Sequence, residues 1–231
     1  MFKPWHTLDD VYRVIRKSPR GRVIIDDFQV RMAFGDIRIR YMDQNAKARL
    51  MRDGHAKGQA AAAFTYDGRE KVIYIDPAAE LGILIPILVH EITHCTDEDY
   101  LASREQHEEL MLRLRSEASR VMETASRRLK VPRNRLTRAD CPKEEIDQLV
   151  ELRIACERFD HMRTFKAEVK AYLEQYRVTL ELVRKFPDYG NYLRRWEKQG
   201  YILIRPLRAE DIIEKYRLKR EYILADSKKT A

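Results

Sequence analysis

Apolar residues follow two different rhythms along this chain, and the change comes near residue 80. Before it, apolar runs are short and rich in β-branched and aromatic residues. After it, they recur at three- and four-residue spacing. Val11, Val14 and Ile15 share one helical face and predict a helix over 8–18. Arg22–Ile25, Phe28–Phe34 and Ile37–Tyr41 read as strands, the last two joined at Gly35-Asp36. Ala46–Gly58 is polar and helical in part. Ala61–Tyr66 and Lys71–Asp76 read as a hairpin, with Asp67-Gly68 as its tight turn. Beyond residue 100, Leu110, Leu114, Ala118, Val121, Met122, Ala125 and Leu129 predict a helix over Ser103–Lys130. Val131–Lys143 carries two prolines and reads as a linker. A helix start at Asp140–Glu145 leads into a long helix or broken pair ending near Lys185. Pro187–Gly190 reads as a turn, Leu193–Lys198 as a short helix, Tyr201–Ile204 as a strand and Arg208–Asp226 as a charged last helix. The predicted class is α+β: a small N-terminal mixed sheet packed on one apolar helix, then a mostly helical C-terminal half. Residues 1–100 form the first portion and 101–231 the second, within one integrated domain.

The apolar helix carries the chemistry. Leu81–Val89 runs directly into His90-Glu91-Ile92-Thr93-His94, an H-E-x-x-H motif. Residues i and i+4 lie one turn apart on the same helical face, so the two imidazoles can share one Zn²⁺ ion. Glu91 projects beside such an ion and can take a proton from its water. The blander reading is a buried helix with two hydrogen-bonded histidines. Ile87, Leu88, Val89 and Ile92 place the motif in apolar surroundings, where two histidines and a glutamate are costly unless something pairs with them. Pro86 disfavours helix at Ile85, so the helix either begins near Pro86 or starts earlier and kinks there.

A catalytic zinc takes three protein ligands and leaves one position open. Asp97 and Asp99 follow His94 without a glycine that would bend the chain back, and read as helix-end acids or as partners for a ligand histidine. His107 sits among charged neighbours, Gln106 and Glu108-Glu109. Glu168 lies at the edge of an apolar helical stripe formed by Phe165, Val169, Tyr172 and Tyr176, with His161 and Gln175 on the same edge. Glu168 is the preferred third ligand and His107 the alternative.

The hairpin, the motif helix and the pattern Glu168-Val169-Lys170-Ala171-Tyr172 together resemble the zincin metallopeptidases of the gluzincin type. The resemblance covers residues 60–100 and 161–176. It implies Zn²⁺ held by His90, His94 and Glu168, Glu91 as general base, and a peptide or protein substrate. It also implies that Lys71–Ile75 is a sheet edge that pairs with the extended substrate. His161 and Tyr172 are both candidates for a donor to the oxyanion. The 73 residues between His94 and Glu168 must then be helices that bring Glu168 back to the motif.

Composition narrows the setting. The chain has 231 residues, 44% hydrophobic and 35% charged, with only 8 Gly and 8 Pro, as suits a mainly helical globular protein. No apolar leader follows Met1, and the run at 81–89 is too short to cross a bilayer. Cys95, Cys141 and Cys156 show no C-x-x-C spacing and read as free thiols of a reducing compartment, so a cytoplasmic location is expected. The net charge of +8 permits contact with nucleic acid, and Arg127–Arg138 is the one unbalanced basic stretch. Elsewhere Lys and Arg alternate with Asp and Glu as on solvated helix faces, so nucleic acid is not the favoured partner.

Overall fold

Side-chain caps begin the chain's first two helices. The computed structural model describes residues 7–52, 61–66 and 70–227. These residues are 74% helical with one three-stranded mixed sheet, an α+β fold. Thr7 caps α1 (Leu8–Ile15): its hydroxyl accepts from the Asp10 N–H, and the Asp10 carboxylate accepts from the Thr7 N–H. Ser18 caps α2 (Pro19–Ala33) by accepting from the Gly21 N–H at 2.9 Å, and Pro19 sits in the first turn, where its missing N–H costs nothing. Arg22–Ile25 and Phe28–Phe34 are therefore not strands but the body and end of α2. The buried positions are Gly21, Ile25 and Phe28, at helical spacing, while Val23 and Val30 face solvent.

Of the three early strands expected, only β1 (Ile37–Tyr41) forms. It is followed by α3 (Gln44–Arg52), β2 (Ala62–Tyr66) and β3 (Lys71–Ile75). The strand order is β1-β3-β2, with β1 parallel to β3 (Ile37 opposite Lys71) and β2 antiparallel to it (Ala62 opposite Ile75). The turn at Asp67-Gly68 lies outside the described residues. Lys71–Ile75, expected at the sheet edge, is instead the middle strand. Val72, Ile73, Tyr74 and Ile75 are all buried, and a strand covered on both faces belongs at the centre of a sheet.

The motif helix α4 (Leu81–Thr96) starts well before Pro86 and carries that proline inside. Pro86 has no N–H to give the carbonyl four residues earlier, that of Gly82. The Tyr189 hydroxyl donates to that carbonyl at 2.8 Å. Gly82 has a second reason to be glycine: a Cβ there would lie 2.5 Å from the Tyr192 ring.

The rest is helical: α5 (Glu98–Leu129), two 3-10 turns at Arg133–Arg135 and Arg138–Asp140, α6 (Lys143–Lys185), α7 (Pro187–Glu197), α8 (Ala209–Tyr216) and α9 (Arg220–Ser227). Pro187–Gly190 is the first turn of α7, not a loop, with proline at the position that needs no donor. Tyr201–Ile204 forms no strand. The N–H groups of Leu203, Ile204 and Arg205 converge on one Glu197 oxygen at 3.1, 2.8 and 3.0 Å, so a carboxylate takes donors that a ladder would need. The expected last helix is broken by Arg217, which adopts a φ of 53°.

The chain divides into two compact units, 1–98 with 167–212, and 99–166 with 213–231. In the first, α4 packs against α1, α2, α7, β2 and β3. Twelve of its sixteen residues are buried, so its polar groups have no solvated face to turn to. Met42, Leu50, Ala63, Val72 and Tyr74 form a satellite cluster. In the second, Val121, Ala125 and Cys141 form a cluster with Leu136, Ile146 and Leu149 packed on it. No helix among the described residues is long and apolar enough to cross a membrane.

Candidate metal centre

Because α4 is buried almost all round, His90 and His94 enter the interior with it, each 6% exposed. Their Nε2 atoms stand 3.1 Å apart, the i, i+4 relation predicted from the motif. Glu168 arrives from the end of α6 that belongs to the first unit. It is flanked by Ala167 and Ala171, both buried and small enough to let that helix approach closely. One Glu168 oxygen lies 3.3 Å from His90 Nε2 and the other 3.4 Å from His94 Nε2. The three side chains form a group close enough to hold a metal ion.

The spacing fits an ion better than a set of hydrogen bonds. A tetrahedral ion with bonds of about 2.0–2.1 Å places its donors roughly 3.3–3.4 Å apart. The three observed separations are 3.1, 3.3 and 3.4 Å. A proton between two of the groups could satisfy only that pair. Glu168 Oε2 is buried and makes no hydrogen bond, an expensive arrangement that a cation relieves. The carboxylate has the charge state of a ligand. Burial alone would raise the Glu168 pKa, but His94 and His90 outweigh it and hold this carboxyl well below the usual carboxylate range. Burial would lower His94, yet Glu168, with Glu91 and Asp97 adding to it, leaves it raised. The donor set, two imidazoles and one anionic carboxylate, suits a borderline-soft divalent ion such as zinc.

Glu91 is next to His90 in sequence but outside the triad. Its Oε2 accepts the backbone N–H of Phe64, on β2, at 2.8 Å. Asp76 donates to the Ala61 carbonyl at 2.9 Å, so by alternation Ala61, Ala63 and Thr65 face β3, while the backbone groups of Ala62 and Phe64 face the open edge. Glu91 is thus tied to the side of β2 that pairs with no other strand among the described residues. Burial pushes its pKa up, and His90, His94 and the Phe64 N–H act against that rise.

The other sequence candidates lie elsewhere or play other parts. His107 stacks on Phe159, and its Nδ1 lies 3.7 Å from Asp160. It is not in the triad. His161 accepts from the Lys219 N–H at 3.1 Å and meets the Tyr222 ring edge-on, both within the second unit. Tyr172 does reach the site: its ring centre is 4.4 Å from that of His90. Asp97 is buried and pairs with Lys170 at 2.7 Å, while Asp99 is exposed. The ion pair joins the end of α4 to the helix that carries Glu168. The sequence reading missed this clasp, although Asp97 three residues after His94 and Lys170 two after Glu168 were its signal. Phe64 had no signal, because its contribution is a backbone N–H. All three cysteines are free and buried, and Cys95 donates to the Ile92 carbonyl as a packing residue. In the basic 127–138 segment, Arg127 and Arg133 both pair with Glu123.

No protein-family model, curated protein or solved structure matches this chain.

Proposed function

We propose that this protein is a zinc-dependent metallopeptidase of the zincin type, acting on a peptide or protein substrate. His90, His94 and Glu168 would hold the ion and Glu91 would serve as general base. The observation that carries the reading is the convergence of three donors, with 73 residues of chain between His94 and Glu168, at the separations a tetrahedral ion requires. A zinc ion bound there supplies Lewis acidity, lowering the pKa of a water and polarising a carbonyl. Everything else is the work of the chain. Glu168 stays anionic and so remains a donor. Glu91, fixed by the Phe64 N–H, keeps its second oxygen available to take a proton and later return it to a leaving amine. The edge of β2 beside Glu91 offers backbone groups to an extended chain, the role first expected of Lys71–Ile75.

The test is Glu91→Gln. The variant should keep its metal, measured by mass spectrometry, and lose peptide hydrolysis by about 10²–10⁴-fold. Full activity in Glu91→Gln would refute the mechanism. A wild type that holds zinc but cleaves nothing in broad peptide libraries would make the protein a metal-bearing binding module instead.

A further inference from the structure

Histidines that hold a metal are ordinarily oriented by a hydrogen bond from their other ring nitrogen to a carboxylate, a carbonyl or water. His90 does not follow this rule. Its Nδ1 is buried and has no hydrogen-bond partner among the described residues. The ring is held by packing instead. On one side is Tyr172, 4.4 Å between ring centres and inclined at 60°. On another is His94, 4.7 Å away and nearly perpendicular at 81°. His94 is itself a proposed ligand, so Tyr172 is the aromatic support that comes from outside the triad. It is 7% exposed and leaves the ring little room to turn.

Position on α6 strengthens the point. Glu168 and Tyr172 stand at i and i+4, so one helical face delivers both a ligand and the ring that orients a second ligand. The two arrive or depart together.

We propose that Tyr172 is a positioning residue that orients His90 through its aromatic ring, replacing the hydrogen bond that Nδ1 lacks. This rests on the metal-centre reading above. It assigns the orienting contribution to the ring and not to the hydroxyl. An unsupported His90 rotates about its side-chain bonds, and each zinc bond it forms must first recover that freedom.

The test compares Tyr172→Phe and Tyr172→Leu with the wild type. Zinc affinity is measured by competition against a chromophoric chelator, with the melting temperature of each metal-free protein recorded alongside. Phe keeps the ring and should bind zinc within about threefold of wild type, while Leu should lose about 10–100-fold, the range seen when a ligand's outer support is removed. The metal-free Leu variant should melt within a few degrees of wild type, and in the zinc-loaded state its His90 imidazole ¹⁵N signal should broaden or shift while that of His94 stays in place. A loss of affinity in Tyr172→Phe equal to that in Tyr172→Leu would overturn the proposal and assign the role to the hydroxyl. Unchanged affinity in Tyr172→Leu would overturn it outright. If Leu does not fold, Tyr172→Trp serves: it keeps an aromatic face and should bind more tightly than Tyr172→Met, and equal affinities would overturn the proposal. Absence of zinc binding by the wild type is a separate result that defeats the metal-centre reading itself.

Discussion

Glu168 carries most of the site's meaning at the scale of single residues. It is an anionic group in the interior, facing two imidazoles, with one oxygen making no hydrogen bond. Natural proteins seldom keep such a group without a counter-ion. If the ion is held as proposed, the wild type purified without added zinc should carry roughly one equivalent of metal, Glu168→Ala and His94→Ala should each lose it, and His107→Ala should retain it. Metal content of the three variants checks this directly, and loss in His107→Ala alone would move the third ligand. At this scale much of the site was legible in the sequence. H-E-x-x-H states its own geometry, because a helix converts a spacing of four into a shared face. Glu168 could be singled out because it borders an apolar stripe. The contact between Glu91 and Phe64 could not, since it depends on the sheet's order and on which N–H groups its pairing leaves over.

Among the elements, α4 shows how a helix can tolerate a proline when its neighbours compensate. Pro86 deprives the Gly82 carbonyl of its usual donor, and the Tyr189 hydroxyl of α7 supplies one at 2.8 Å. Tyr189→Phe should therefore destabilise the protein by about 1–3 kcal/mol, the cost of a buried acceptor left unpaired. In a Pro86→Ala background, where residue 86 regains its N–H, the same substitution should cost clearly less. Denaturant unfolding of the four proteins in this cycle measures the difference, and equal costs in both backgrounds would refute the pairing. The helices α1, α5 and α6 were readable from periodicity, and α4 was predicted with its proline left as a choice between two starts. The longest misread element is α2. Its Val, Ile and Phe residues suggest strands by composition, whereas Ser18-Pro19 is a helix start and Gly21, Ile25 and Phe28 keep helical spacing. Local β-propensity was outweighed there by burial against α1 and α4.

For the whole molecule, the sequence told that the fold is α+β and that helices dominate its later part. It did not tell that residues 167–212 share a compact unit with the motif helix. Periodicity reports which face of a helix is covered but not by what. If the ion is held as proposed, it binds only the folded chain and should raise its stability, by about 2.7 kcal/mol when free zinc is a hundredfold above the dissociation constant. Chelation should lower the melting temperature of the wild type and of Glu91→Gln alike, and should leave that of Glu168→Ala unchanged. Calorimetry with and without chelator decides this, and a shift that persists in Glu168→Ala would place the stabilising ion elsewhere.

The 73 residues between His94 and Glu168 give the centre a consequence apart from chemistry. If one ion joins them as proposed, these side chains close a loop of chain that encompasses all of 99–166. An ion that binds only the folded chain leaves the unfolded ensemble free, so closing this loop is a cost met when the site assembles. Lengthening that loop should loosen the protein little, because the cost of closing a loop grows only with the logarithm of its size.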